Sequence, residues 1–251
     1  MSLQHYKAIL KEITPPLLSR NLSAVVKSFS PEPELPPLGS EVIAQNRSRI
    51  RGIFMHIHKC AGTSLIHIFE TIPEVISCAA RPGNFPARTG WEAIPQDIQQ
   101  QAYKFTFVRN PYARIVSAYR MFIKTEIWKS LFPTFDDFVE FLQWSDVHHH
   151  TVTEDIPMEQ FIHTIGNAIH HCSSFHNPKY RLEEMDYLGR VETLTEDIQQ
   201  ITNALQIEPI AVPHLRKAGA NQDYRSYYSA RTKAIIGKIY QADLERFDYQ
   251  F

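Results

Sequence analysis

Cysteine is scarce in this chain: three residues in 251, with Cys60, Cys78 and Cys172 far apart and odd in number. They form neither a disulfide framework nor a paired-cysteine metal knuckle, and a reducing compartment fits them best. An excess of charge is missing too. The 26 basic and 27 acidic residues leave a formal net charge of −1, which argues against nucleic-acid binding through an overall positive field. Any anion has to be met by a local cluster. No stretch approaches the roughly 18 apolar residues that cross a bilayer, and the N-terminus lacks a basic-then-apolar signal pattern. The expected location is cytoplasmic, or peripheral to a membrane. No internal repeat is present, and the one biased segment is a proline-rich arm.

What is there is enough for one good core: 43% of the residues are hydrophobic, and any second domain of such a chain would be small. Residues 1–45 hold six of the 16 prolines, and "SPEPELPPLGS" cannot be an interior helix or a central strand. The expected organisation is a short helix around Tyr6 to Ile13 and an extended arm over 1–45, then a single domain over 46–251.

From Arg51 onward short apolar runs alternate with helical periodicity, which predicts an α/β fold with a central parallel sheet and flanking helices. A strand over Ile53–Ile57 leads through a glycine-containing turn into a helix from about Thr63 to Thr71. A second strand, "KFTFV" at 104–108, ends at Arg109, with Asn110 placed to cap a helix and Pro111 at its first position. Ile115, Tyr119, Phe122 and Ile123 form the apolar stripe of that helix. A helix starting at Thr134 runs through "FDDFVEFLQW". "YLGRV" at 187–191 reads as a strand before "TLTEDIQQITNAL", in which Thr193 and Glu196 have capping-box spacing and Leu194, Ile198, Ile201 and Leu205 share a face. A last helix is expected over Ala230 to Asp243.

The stretch "HIHKCAGTS", residues 56–64, carries the clearest chemistry. After a strand, a turn at Gly62 brings backbone N–H groups toward one point, and the helix beginning near Thr63 adds its positive dipole end. Lys59 adds a full charge, and the Thr63 and Ser64 hydroxyls can donate to oxyanion oxygens. The order is not GxxxxGK[ST], because the lysine precedes the glycine, so the nucleotide triphosphatase loop with its magnesium-ligating hydroxyl is absent.

This order, together with "FTFVRNPYARIVSAYR", resembles the sulfotransferases that use 3′-phosphoadenosine 5′-phosphosulfate (PAPS). In that family a strand–loop–helix with a PK-x-[AG]-[GS]-T-S core binds the 5′-phosphosulfate, and an RNP…R…S segment binds the 3′-phosphate. Here the first is "HKCAGTS", with His58 in place of the usual proline, and the second runs from Arg109 to Ser117. "DYLGRVETLTEDI" is similar to the family's "igr.E.l..D" segment, and the likeness, strongest to the carbohydrate-sulfating branch and its bacterial relatives, extends over about residues 50–251. It implies a P-loop-like sulfotransferase fold, PAPS as donor, and donor contacts from Lys59, Cys60, Ala61, Gly62, Thr63, Ser64, Arg109, Ser117 and Arg190.

Sulfuryl transfer in line to an acceptor hydroxyl relies on positioning and on stabilising charge at the bridging oxygen, a role for which Lys59 is placed. The transferred group carries less negative charge than a phosphoryl group, so no metal is expected. The hydroxyl acceptor, by family likeness a saccharide or glycolipid, needs a general base. "VHHHTVTEDIPMEQF" at 147–161 lies where related carbohydrate enzymes carry a histidine-containing acceptor segment, which makes His148, His149 and His150 candidates, with Glu154 and Asp155 as carboxylate alternatives. His56 and His58 share a strand face but lack a third metal ligand in pattern. Arg114 and Arg120 read as solvated arginines, and Cys60 as a small residue beside the anion. The basic and aromatic "HLRKAGANQDYRSYY" suits an anionic or sugar acceptor. The alternatives are a kinase on a similar sheet, which would require ATP with magnesium, and a nucleotide-binding module without turnover.

Overall fold

A computed structural model describes residues 43–79, 89–147, 171–210 and 223–251. The expected helix at Tyr6 to Ile13, nearly all of the arm, His148, His149, His150, Glu154, Asp155, His214, Arg216 and Lys217 lie outside the described residues. At the end of the arm, residues 43–46 form a helical turn, and Ile43 is buried among Ile53, Met55 and Ile76.

The chain divides into two compact units, 34–110 with 174–223 and 111–173 with 224–251, apart from the N-terminal segment. The first holds the sheet. Strands β1 (Gly52–His56), β2 (Val75–Ala79), β3 (Tyr103–Val108) and β4 (Tyr187–Arg190) are all parallel, in the order β2-β1-β3-β4. Every residue of β1 is buried, as a central parallel strand covered on both faces requires. The Thr106 hydroxyl donates to the Met55 carbonyl at 2.6 Å, so this buried polar side chain is satisfied within the sheet.

Helices α1 (Gly62–Phe69) and α2 (Gln96–Gln101) fill the connections from β1 to β2 and from β2 to β3. Phe54, Phe69 and Phe105 pack at ring-centroid distances of 5.0 to 5.7 Å. Ile94, Ile98 and Ala102 are buried with Met55 and Cys78. Neither β2 nor α2 is expected from the sequence: "VISCA" is five residues long, too short to show a period of its own, and the "QDIQQQ" helix buries one residue, Ile98.

The helix after β4, α6, spans Leu194–Leu205 and buries Leu194, Ile198, Ile201 and Leu205 as its periodicity predicts. Its expected capping box does not form. Thr193 makes no side-chain cap and instead donates to Asp197 Oδ2 at 2.8 Å. Asp197 also accepts from the Tyr187 hydroxyl at 2.6 Å and the Arg190 N–H at 2.7 Å, so the aspartate one residue beyond Glu196 ties strand to helix.

The second unit is helical, with α3 (Pro111–Phe122), α4 (Glu126–Leu131), α5 (Phe135–Val147), α7 (Ala230–Ile239) and α8 (Gln241–Phe247). Tyr119, Phe122, Phe132, Phe138 and Phe141 form its aromatic centre. Thr134 caps α5 by accepting from the Asp137 N–H at 3.2 Å while Asp137 accepts from the Thr134 N–H at 2.9 Å, a reciprocal cap. The last expected helix is two, broken at Tyr240, whose buried side chain turns in to donate its hydroxyl to the Cys172 carbonyl.

Arg114 corrects a further expectation. It is fully buried rather than solvated, and its guanidinium donates to the carbonyls of Ser173 at 2.7 Å and His171 at 3.4 Å. Residues 171–172 end a helix, whose last carbonyls lack intrahelical donors and carry the negative end of the dipole. A buried arginine with Tyr240 beside it supplies both donors and charge. Arg120 is half-exposed, in keeping with a solvated arginine.

Candidate functional site

The turn between β1 and α1 is built from two left-handed residues. Lys59 has φ 66° and Ala61 φ 59°, each without being glycine, a conformation that costs about 1–2 kcal/mol per residue. Alternation of left- and right-handed residues turns successive N–H groups to one side and makes a concavity for anions. Within the loop the Cys60 N–H turns back to Ile57 and those of Ser64 and Leu65 to Ala61. The N–H groups of Gly62 and Thr63, at the first positions of α1, have no intrahelical acceptor and carry the positive dipole end.

Gly62 is required by its neighbour. A β-carbon there would stand 1.9 Å from His56 Nε2, because the buried imidazole at the end of β1 packs under the first turn of α1. His58 stacks near it, ring centroids 5.0 Å apart. Lys59 and Ser64 are half-buried, Thr63 is exposed and Cys60 is buried. Among the described residues no group of three or more metal-ligating side chains occurs.

Arg109, at the end of β3, reaches this loop: its Nη1 donates to the Lys59 carbonyl at 3.4 Å. The third segment joins at the same point of the chain, since the Asn110 N–H donates to Glu192 at 2.8 Å, directly after β4. Gly189 within β4 is also required, because a β-carbon would meet Phe107 Cε1 at 2.7 Å. The adjacent strand ends β1, β3 and β4 therefore bring together residues 59–64, 109–110 and 189–192, at the carboxyl end of the sheet where open parallel sheets take ligands. Ser117 is half-exposed on α3, in the other unit. Arg190 is half-buried and held through its backbone by Asp197.

Sequence reasoning passed over His56 as a packing residue, Glu192 and Asp197 as the ties between segments, and an open depression bordered by Trp91, Glu92 and Arg181. The partners are 82 residues apart in Asn110 and Glu192, and no local pattern reports such a pairing. Beside the depression, burial and then the Glu92 carboxylate push the Cys78 thiol up to about 12, with Arg181 opposing. A thiol that keeps its proton is a poor nucleophile. The loop presents the N–H groups of a helix start, residues 56–64 contain no carboxylate, and Arg109 reaches the loop backbone at Lys59; such a turn suits an oxyanion.

A model of the sulfotransferase family matches residues 47–250, and the chain belongs to that family. It is therefore an enzyme that transfers a sulfuryl group from PAPS to a hydroxyl acceptor. No curated protein and no solved structure matches the chain. Among the described residues no helix is long and apolar enough to cross a membrane.

Proposed function

We propose that residues 46–251 act as one domain that sulfates a hydroxyl of a saccharide or glycolipid, with the donor seated on the loop at 59–64. The supporting observation is the hydrogen bond from Arg109 to the Lys59 carbonyl at 3.4 Å. It joins a loop suited to one oxyanion with an arginine suited to another, as a nucleotide with 5′-phosphosulfate and 3′-phosphate groups demands.

In this reading the N–H groups of Gly62 and Thr63, with Cys60 and Ala61 forming the wall and Ser64 donating its hydroxyl, bind the 5′-phosphosulfate. Arg109, Ser117 and Arg190 serve the 3′-phosphate side. The acceptor oxygen forms its bond to sulfur as the bond from sulfur to the phosphate oxygen breaks, and Lys59 stabilises the charge that grows on that oxygen. The acceptor proton passes to a base, for which His148, His149 and His150 are the candidates and Glu154 and Asp155 the alternatives. The product nucleotide is 3′-phosphoadenosine 5′-phosphate. No metal takes part.

The test is calorimetric titration of the full chain with 3′-phosphoadenosine 5′-phosphate in magnesium-free buffer, beside Lys59→Ala, Arg109→Ala and an ATP control. Micromolar binding by the unchanged protein, weakened at least tenfold in Arg109→Ala, is expected. Preference for ATP with magnesium would instead favour a kinase.

A further inference from the structure

We infer that Glu192 is a positioning residue for donor selectivity: its carboxylate holds the backbone beside Arg109, and through it the preference of the site for a 3′-phosphorylated nucleotide; this rests on the donor reading above. The Asn110 N–H donates to Glu192 Oε1 at 2.8 Å, one residue after Arg109. That contact takes over where the sheet stops. Val108 of β3 is in register with Arg190 of β4, and Asn110 and Glu192 each lie two residues further on. After Arg190 the chain enters a tight helical turn over Val191–Thr193, so the parallel ladder of β3 and β4 ends, and the Glu192 side chain supplies the acceptor to the Asn110 N–H.

Arg109 is thereby fixed on two sides. Its Nη1 donates to the Lys59 carbonyl at 3.4 Å, which ties the guanidinium to the loop, and the bond to Glu192 ties the peptide that follows it. Pro111 comes next and has no N–H, so of these two residues only Asn110 offers a backbone donor. Asn110 is buried, and an N–H in such a place without its acceptor carries a desolvation cost that a shift of the backbone relieves. A guanidinium meets a phosphate as a planar fork of fixed geometry. A shift at Arg109 therefore spoils that contact, while the N–H groups of Gly62 and Thr63 keep theirs.

The choice of a carboxylate is itself informative. A negative charge on the side of a site that is to meet an anion opposes binding, and Glu192 is exposed, where a position without a task would accept any polar residue. What a carboxylate adds is a charge-assisted bond to a backbone N–H, shorter and stronger than a neutral one. Asp197 does the same for the neighbouring strand, accepting from the Arg190 N–H at 2.7 Å. Two carboxylates therefore fix the backbone at the ends of β3 and β4, one beside Arg109 and one at Arg190, the two arginines of the proposed 3′-phosphate side.

The test is calorimetric titration of the full chain with 3′-phosphoadenosine 5′-phosphate and with adenosine 5′-phosphate, which lacks the 3′-phosphate, for the parent, Glu192→Ala, Glu192→Gln, Arg109→Ala and the double alanine variant. The parent is expected to prefer the 3′-phosphorylated nucleotide at least tenfold. Glu192→Ala should weaken that nucleotide about five- to tenfold and adenosine 5′-phosphate less than twofold, and Glu192→Gln, which keeps an acceptor oxygen, should stay within about threefold of the parent for both. In the Arg109→Ala background Glu192→Ala should change neither affinity by more than about twofold, because the arginine it positions has gone. A merely structural role would weaken both nucleotides alike and add in the double variant; either result, or parent-like selectivity in Glu192→Ala, would overturn the inference. Glu192→Asp, whose carboxylate stands one methylene short, should lose selectivity as well and carries the test should Glu192→Ala fail to fold. A parent without preference between the two nucleotides would instead remove the donor reading beneath it.

Discussion

The imidazole of His56 occupies the space that any side chain at position 62 would need: a β-carbon on Gly62 would stand 1.9 Å from His56 Nε2 and 2.2 Å from its Cδ2. The last residue of the central strand thus sets the residue at the start of the anion-facing helix. Gly62→Ala is expected to push α1 or the ring out of place, at a cost of about 1–3 kcal/mol, and to weaken binding of 3′-phosphoadenosine 5′-phosphate at least tenfold. His56→Ala with Gly62→Ala should recover part of the loss, because the clash has gone. Additive losses in the double variant, read by calorimetry, would mean that the two residues do not act on each other.

The Arg114 clamp on the helix end at 171–173 gives a stability prediction. Arg114→Met keeps the volume and removes the donors of two part-buried carbonyls, which should cost about 2 kcal/mol and lower Tm by about 4–8 °C in a chain of this size. Arg114→Lys should recover little, since an ammonium cannot reach carbonyls two residues apart as a planar fork does. A lysine variant as stable as the parent would show that charge alone suffices.

The contrast between these two positions marks what a sequence can report. The loop at 59–64 and the Arg109–Pro111 turn were legible because each is local: a strand, a turn residue and a helix start follow one another in the chain. The stripes Ile115–Tyr119–Phe122 and Leu194–Ile198–Ile201–Leu205 were legible for the same reason, as periodicity. Arg114 was misread because its partners at 171 and 173 lie far along the chain, and an arginine on an amphipathic helix is otherwise a surface residue. Strand β2 was missed because five residues at a sheet edge carry little periodicity. The helix broken at Tyr240 was read as continuous because the hydroxyl's acceptor, the Cys172 carbonyl, is 68 residues away.

Asp197 accepts three hydrogen bonds, from Tyr187, Arg190 and Thr193, at 2.6, 2.7 and 2.8 Å. It is the joint between β4 and α6, and its loss takes this acceptor from the Arg190 N–H and the Thr193 hydroxyl and leaves the Tyr187 phenol only Gln200 Oε1 at 3.0 Å. Asp197→Ala should destabilise the chain by about 3 kcal/mol, and the shift of Arg190 should weaken nucleotide binding a few-fold. Asp197→Asn, which keeps the shape and one acceptor oxygen, should lie between. Denaturant midpoints rank the three proteins, and a parent-like Asp197→Ala would rule out the joint.

Alkaline stability follows from groups buried in their neutral form. Burial and the Glu92 carboxylate raise the Cys78 thiol from 9.0 to about 12, burial raises Tyr228, and burial with the Asp197 hydrogen bond raises Tyr187. A thiol raised on folding holds its proton longer in the native state than in the unfolded one, so its stabilisation is complete below pH 9 and is lost as pH climbs toward about 12. Urea unfolding between pH 8 and pH 11 should therefore give a steadily falling free energy, with Cys78 unreactive to thiol reagents in the native protein at pH 8. Cys78→Ala should flatten the fall above pH 9 because it takes one raised thiol out of that balance, while the raised tyrosines keep a residual slope. An unchanged slope in the variant would locate the alkaline loss entirely in the tyrosines.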